Sequence, residues 1–118
     1  MLDSKNTMCR CMCGLMLKTE FLMTVLQIQA DYGKFLTVNS GARCVEYNQK
    51  IGGAVKSAHL EGRAVDVQRS PALLKFLLDN AEKYNIFLED PKYTPTWIHI
   101  TDRPYSTWKP GMPRTFKP

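Results

Sequence analysis

Apolar residues recur at helical spacing from Glu20 to about Tyr32, where Phe21, Leu22, Val25, Leu26 and Ile28 share one broad stripe. Thr19 is placed to cap this helix. Gly33 is placed to stop it, because glycine takes a left-handed backbone conformation at little cost. Phe35–Val38 is a short strand candidate. The stretch NSGARCVEYNQKIGG, residues 39–53, then breaks the pattern with turn-forming residues; so long a connection is expected to be folded around something. Arg63–Gln68 alternates, with Ala64, Asp66 and Gln68 on one face and Val65 and Val67 on the other, which predicts a strand with one buried face. Ser70-Pro71 is an N-cap followed by a proline suited to the first helical position, and Leu73, Leu74, Leu77, Leu78 and Ala81 follow on one face. That helix should fade near Tyr84-Asn85. Trp97–Thr101 alternates again, with Trp97, His99 and Thr101 set against Ile98 and Ile100.

The order helix, strand, loop, strand, helix, strand predicts a small single α+β domain with helices packed on one face of a mostly antiparallel sheet. Residues 1–18 show little periodicity and read as an irregular N-terminal arm before a domain spanning 19–103. Residues 104–118 are rich in proline and aromatics, Trp108 and Phe116 among them. They read as a tail without a clear element that wraps over the surface.

A length of 118 residues fits one domain with one modest core, and 44% hydrophobic with 23% charged residues is ordinary for a globular protein. Sixteen basic against eleven acidic residues give a formal charge of +5, which favours anionic partners such as nucleic acid, acidic polymers or a bacterial wall. The charges are scattered, so no basic tail is indicated. No apolar run approaches the roughly 20 residues of a membrane span. Lys18 and Glu20 interrupt the partly apolar segment 15–28 and no small-residue cleavage site follows, so the chain reads as made in the cytosol without a signal peptide. Cys9, Cys11 and Cys13 alternate in MCRCMCG, and C-x-C-x-C is a poor match to the C-x2-C of zinc ribbons. With Cys44 they read as reduced, structural thiols, which argues against a nucleic-acid-binding module built on them.

The stretch SAHLEGRAVDV, residues 57–67, carries the chemistry. On one helix His59 and Asp66 would lie about 10 Å apart along the axis, too far to chelate one ion. On one continuous strand, residues seven apart point to opposite faces. Chelation therefore requires a turn between them, and Gly62 supplies it. The second histidine of the chain, His99, lies on a predicted strand face shared with Trp97. If the two strands pair, Asp66 and His99 share the open face while Val65, Val67, Ile98 and Ile100 bury the other. A His, Asp, His set with a fourth position open is the catalytic pattern for zinc rather than the closed structural one. On spacing alone, a satisfied or half-exposed strand histidine is the commoner reading.

The residues S57-A-H59-L-E-G62-R-A64-V-D66 match the S-x-H-x-x-G-x-A-x-D signature of the M15 zinc peptidases, which include D-Ala-D-Ala carboxypeptidases and phage L-alanyl-D-glutamate endolysins. W97-I-H99 resembles the second motif of that family. S40-G-A-R43-C-V-E-Y-N48 with G52-G53 resembles its small phage and murein-peptidase subgroup. HLEGRAVDV also looks like the zinc loop of the hedgehog signalling domain, which shares this fold. The resemblance covers about residues 19–103. It implies that His59, Asp66 and His99 bind Zn2+ on the open face of the sheet. It implies too that Arg43 holds a peptide carboxylate or the developing oxyanion, that Ser57 hydrogen-bonds substrate, and that Trp97 lies at the substrate site.

The family pattern also needs a carboxylate base, and here the sequence departs from it. The positions that hold one in relatives are Thr96, Thr101 and Tyr93 in this chain. Asp102 falls one residue late, which on a strand turns its side chain to the wrong face. The remaining candidates are Glu89 and Asp90, expected in the loop before the last strand, then Asp102 at a bulge, then Glu61; Tyr93 is a candidate to polarise substrate. The resemblance implies a zinc metallopeptidase acting on peptidoglycan stem peptides or crosslinks, of phage or prophage origin and active on the wall or in the virion. The expected partner is a peptidoglycan peptide, with no nucleic acid, no membrane and a monomeric state. The missing carboxylate motivates the alternative, a zinc-binding module without turnover.

Overall fold

The helix expected from Glu20 forms as α1 (Thr19–Tyr32), with Phe21, Val25 and Ile28 buried. Gly33 ends it at φ 79°, its N–H donating to Gln29 O at 3.0 Å. Thr19 is not the cap. Lys18 takes that position without a side-chain cap, and the start of the helix is fixed from outside, by Lys18 N–H donating to Gly62 O at 2.9 Å. The computed structural model describes Cys9, residues 15–53 and residues 57–117. Most of the segment read as an N-terminal arm, Cys11 and Cys13 included, lies outside the described residues.

Strand β1 (Val38–Ser40) begins later than the run at Phe35–Val38 indicated. Phe35 is 70% exposed, whereas Leu36 and Val38 enter the core. Pairing sets the shift, since Val38 sits opposite Val67 and Gln68 N–H donates to Thr37 O at 2.8 Å. Within the turn-rich stretch 39–53 stands a short helix, α2 (Val45–Lys50), capped by Cys44, whose Sγ accepts from Tyr47 N–H at 3.4 Å. Six residues give no helical period to read, and the residue this helix buries is Asn48, not an apolar one.

β2 (Ala64–Gln68) and β4 (Trp97–Thr101) follow their alternating patterns. Between them α3 (Pro71–Tyr84) starts on the expected cap, Ser70 Oγ accepting from Leu73 N–H at 3.1 Å, and stops at Asn85 with φ 52°. Leu73, Leu77 and Ala81 are buried, while Leu78 lies at the edge of the stripe and is exposed. Two strands went unread. β3 (Phe87–Glu89) follows the helix stop directly, and β5 (Thr115–Phe116) comes from the C-terminal tail.

Among the described residues the sheet has five strands in the order β1-β2-β4-β3-β5. All pairs are antiparallel except β3–β5. Val65 lies opposite Ile100 and Val67 opposite Ile98, and this face packs with Phe21, Val25, Leu73 and Leu77 of the helices into one apolar core. The observed architecture is therefore the expected α+β domain. Covering that face holds the sheet rigid and leaves the opposite face to carry polar side chains.

That opposite face holds a transverse row. Ser40 pairs with Asp66, and Asp66 with His99. Phe87 pairs with Thr101 and Leu88 with Ile100, so one step further in the same register Glu89 falls beside His99. Glu89 in turn pairs with Phe116. The alternation of strand side chains brings this row to one side of the sheet.

Candidate metal centre

His59 is carried by a 3₁₀ turn, Ala58–Glu61, that leads into β2. Ser57 caps it, its Oγ accepting from His59 N–H at 3.2 Å. Gly62 then reverses the chain at φ 68°, its N–H donating to His59 O at 3.2 Å. A side chain there would meet Met16 O at 2.7 Å and Lys18 N at 3.1 Å. Glycine is thus required twice, for the backbone conformation and for the close passage of residues 16–18. Gly62→Ala is expected to cost about 2 kcal/mol or more in denaturant unfolding; an unchanged midpoint would show that the turn relaxes freely.

The turn folds His59 back over the sheet. Its Nδ1 lies 2.6 Å from Gly41 O. A carbonyl only accepts, so Nδ1 carries the proton and the lone pair of the neutral ring sits on Nε2. Nε2 faces Asp66 Oδ1 at 3.3 Å. His99 Nδ1 approaches the same oxygen at 2.9 Å. One ligand atom from each of the three residues lies within 4.8 Å of the others, so His59, Asp66 and His99 form a group able to hold a metal ion.

Burial would push the Asp66 carboxyl up, but the imidazoles of His59 and His99 beside it override that and hold the group well below the usual carboxylate range. Burial lowers His59, opposed by the neighbouring Asp66 carboxylate, and keeps the imidazole neutral. An ionised carboxylate beside a neutral imidazole is the protonation state that metal ligation needs.

A family model described as Peptidase M15 matches residues 2–101. The chain belongs to the Peptidase M15 family. No curated protein and no solved structure gives a significant match. Family membership implies a peptide substrate for this M15 chain. No helix among its described residues is long and apolar enough to cross a membrane.

Arg43 in this M15 chain is tied to the metal group through its backbone, Arg43 N–H donating to His59 O at 2.9 Å. Burial lowers its guanidinium pKa, and the charge of Asp66 opposes the fall. Its Nε is buried and has no hydrogen-bond partner among the described residues. Gly53 makes room for it, since a side chain at that position would come within 2.9 Å of Arg43 Nη1.

Next to the metal group opens a cavity of about 510 Å³, lined among others by Ser57, Glu89, His99, Tyr105 and Phe116. Glu89 is the nominated carboxylate that lines it. Burial raises the pKa of Glu89, His99 opposes the rise and the charge of Asp66 adds to it. Asp90 instead caps the turn Pro91–Tyr93, accepting from Lys92 N–H at 3.0 Å. Asp102 is held by Arg63 Nε at 2.8 Å, just past the end of β4. Glu61 pairs with Arg103 at 2.5 Å. Trp97 stands two residues before His99 on its strand and Tyr93 on the neighbouring turn, neither in the cavity lining.

What the sequence reading missed is the contribution of the C-terminal segment. Tyr105 and Phe116 line the cavity, and the Phe116 ring lies edge-on to His99 at 5.9 Å. No spacing rule links residue 116 to residue 99. For Glu89 a signal existed, since Ile86-Phe87-Leu88 is a short apolar run directly after a helix stop.

Proposed function

We propose that the protein is a zinc-dependent peptidase that cleaves a peptide bond in bacterial peptidoglycan stem peptides or crosslinks, and that it is encoded by a phage or prophage. The observation that carries this reading is the convergence of His59, Asp66 and His99 within 4.8 Å in a chain of the M15 family. Donors around one tetrahedral zinc sit about 3.3 Å apart, given ligand distances of about 2.0–2.1 Å. The 3.3 Å from Asp66 Oδ1 to His59 Nε2 matches that spacing, and the 2.9 Å to His99 Nδ1 would open slightly around an ion.

A zinc ion held by these residues would supply Lewis-acid polarisation of the peptide carbonyl and acidify a water molecule. Glu89 takes the proton of the attacking water and returns it to the leaving amine nitrogen. Its place on β3 beside His99, and the burial that raises its pKa, support this role over Asp90 and Asp102. Arg43, whose buried Nε has no partner among the described residues, donates to a substrate carboxylate or to the developing oxyanion. Ser57 at the cavity wall hydrogen-bonds the peptide. The charge of +5 favours adsorption to an anionic wall, and the protein acts there or in the virion, as a monomer without nucleic-acid or membrane partners.

Incubation of the zinc-loaded protein with purified peptidoglycan, followed by mass spectrometry of released fragments, tests this reading. The expected result is fragments cut at a single type of peptide bond, abolished by a chelator and restored by zinc. A folded, zinc-bound protein that releases nothing from several wall types would favour a binding module without turnover.

A further inference from the structure

The matched family region ends at residue 101, yet the cavity beside the metal group is walled in large part by residues beyond it. The segment that supplies them is held in place from several directions. Leu88 N–H donates to Arg114 O at 2.8 Å and Asp90 N–H to Phe116 O at 2.7 Å, so β5 grips the backbone on both sides of Glu89. The Arg114 guanidinium lies 4.9 Å from the ring centres of both Phe87 and Trp108, and donates to Asn85 Oδ1 at 2.9 Å. The Tyr105 hydroxyl is spent on Pro113 O at 2.8 Å, which turns the ring into part of a wall. Phe116 and Tyr105 lie 6.1 Å apart, and Phe116 stands against His99.

We infer that Phe116 and Tyr105 form a substrate subsite of this chain, which takes an apolar side chain of the peptide next to the bond at the metal centre. The inference rests on the peptidase reading above and extends it to specificity. The chemistry of the walls decides the ligand class. Phe116, Tyr105, Pro104 and Ala58 offer apolar surface, and Arg103 is already engaged by Glu61 at 2.5 Å, so the wall it forms presents a neutralised pair. Lys117 stands exposed at the rim. Because the walls are anchored by strand pairing and ring contacts, the subsite is preformed, and little ordering cost opposes binding.

The test uses acetyl-glycyl, acetyl-leucyl and acetyl-phenylalanyl hydroxamates, titrated calorimetrically into the zinc-loaded full chain. Each grips the metal alike and differs by one side chain, so no turnover is needed. Burying a leucine-sized side chain should tighten binding about tenfold or more over the glycyl compound. In Phe116→Ala the ratio of leucyl to glycyl affinity should fall to about twofold. Phe116→Leu, which preserves an apolar packing group, should keep the leucyl preference but lose about threefold for the phenylalanyl compound, since an aromatic pair is lost. This second variant carries the test should Phe116→Ala fail to fold. No side-chain preference in the wild type, or the same preferences in both variants, would overturn the inference. Loss of the preference in a protein that leaves peptidoglycan intact would sink the proposed substrate and leave the subsite standing.

Discussion

Replacing His59 with alanine is expected to remove stoichiometric zinc and to destabilise the domain. His59 is 1% exposed and bonds Gly41 O through Nδ1, while Nε2 faces Asp66. Its loss leaves a ring-sized void, an unmet carbonyl at Gly41 and a carboxylate at Asp66 stripped of one of its two imidazole partners. These effects together cost about 2–4 kcal/mol before any metal is counted. Metal binding to the native state adds stability of its own, and the variant forfeits that as well. Denaturant unfolding with and without a chelator separates the parts. Chelated wild type should lose the metal contribution alone, and the variant should lie lower still and ignore the chelator. A His59→Ala protein with full zinc content would refute the ligand assignment.

The second large effect is expected at Glu89. Glu89→Gln keeps the shape of the side chain and removes its capacity to take a proton, so kcat/KM should fall by about 10²–10⁴ while zinc remains bound. Burial, reinforced by the charge of Asp66, raises the Glu89 pKa above the ordinary 4.5, with His99 opposing. A base works only when deprotonated. Wild-type activity should therefore be full well above that raised value and fall as pH drops through it, so the acidic limb of kcat/KM should lie above pH 4.5. Asp90→Asn should change kcat/KM by less than about tenfold, because Asp90 caps a turn outside the cavity lining. Undiminished activity in Glu89→Gln, at any pH, would remove Glu89 from the mechanism.

The parts of this fold that were legible in the sequence are those whose side chains obey one period over several turns or strand residues. α3 was readable to both ends because Ser70, Pro71 and a five-residue apolar stripe agree. β2 and β4 were readable because Val65, Val67, Ile98 and Ile100 alternate with polar residues. That same alternation, once the strands pair, brings Asp66 opposite His99. The convergence of His59, Asp66 and His99 was thus visible as soon as a turn at Gly62 was granted, and Gly62 adopts a positive φ.

The rest depends on contacts between distant parts of the chain. The start of α1 is set by Gly62 rather than by a cap at Thr19, and the start of β1 by its pairing with β2. α2 has too few residues for a period and buries an asparagine. β5 is two residues long and forms because Leu88 and Asp90 offer their N–H groups to it. Glu89, the carboxylate proposed as the base, stands on β3, one strand over from His99, where only the sheet order makes it a neighbour.

X-ray absorption at the zinc edge tests the account of the metal centre most directly, on purified protein carrying one zinc per chain. The account predicts a first shell of nitrogen and oxygen alone at about 2.0–2.1 Å, with the outer-shell scattering of two imidazoles, and stoichiometric zinc lost in His99→Ala. Sulfur scattering at about 2.3 Å would place the ion on the cysteines instead and contradict the His59, Asp66, His99 centre.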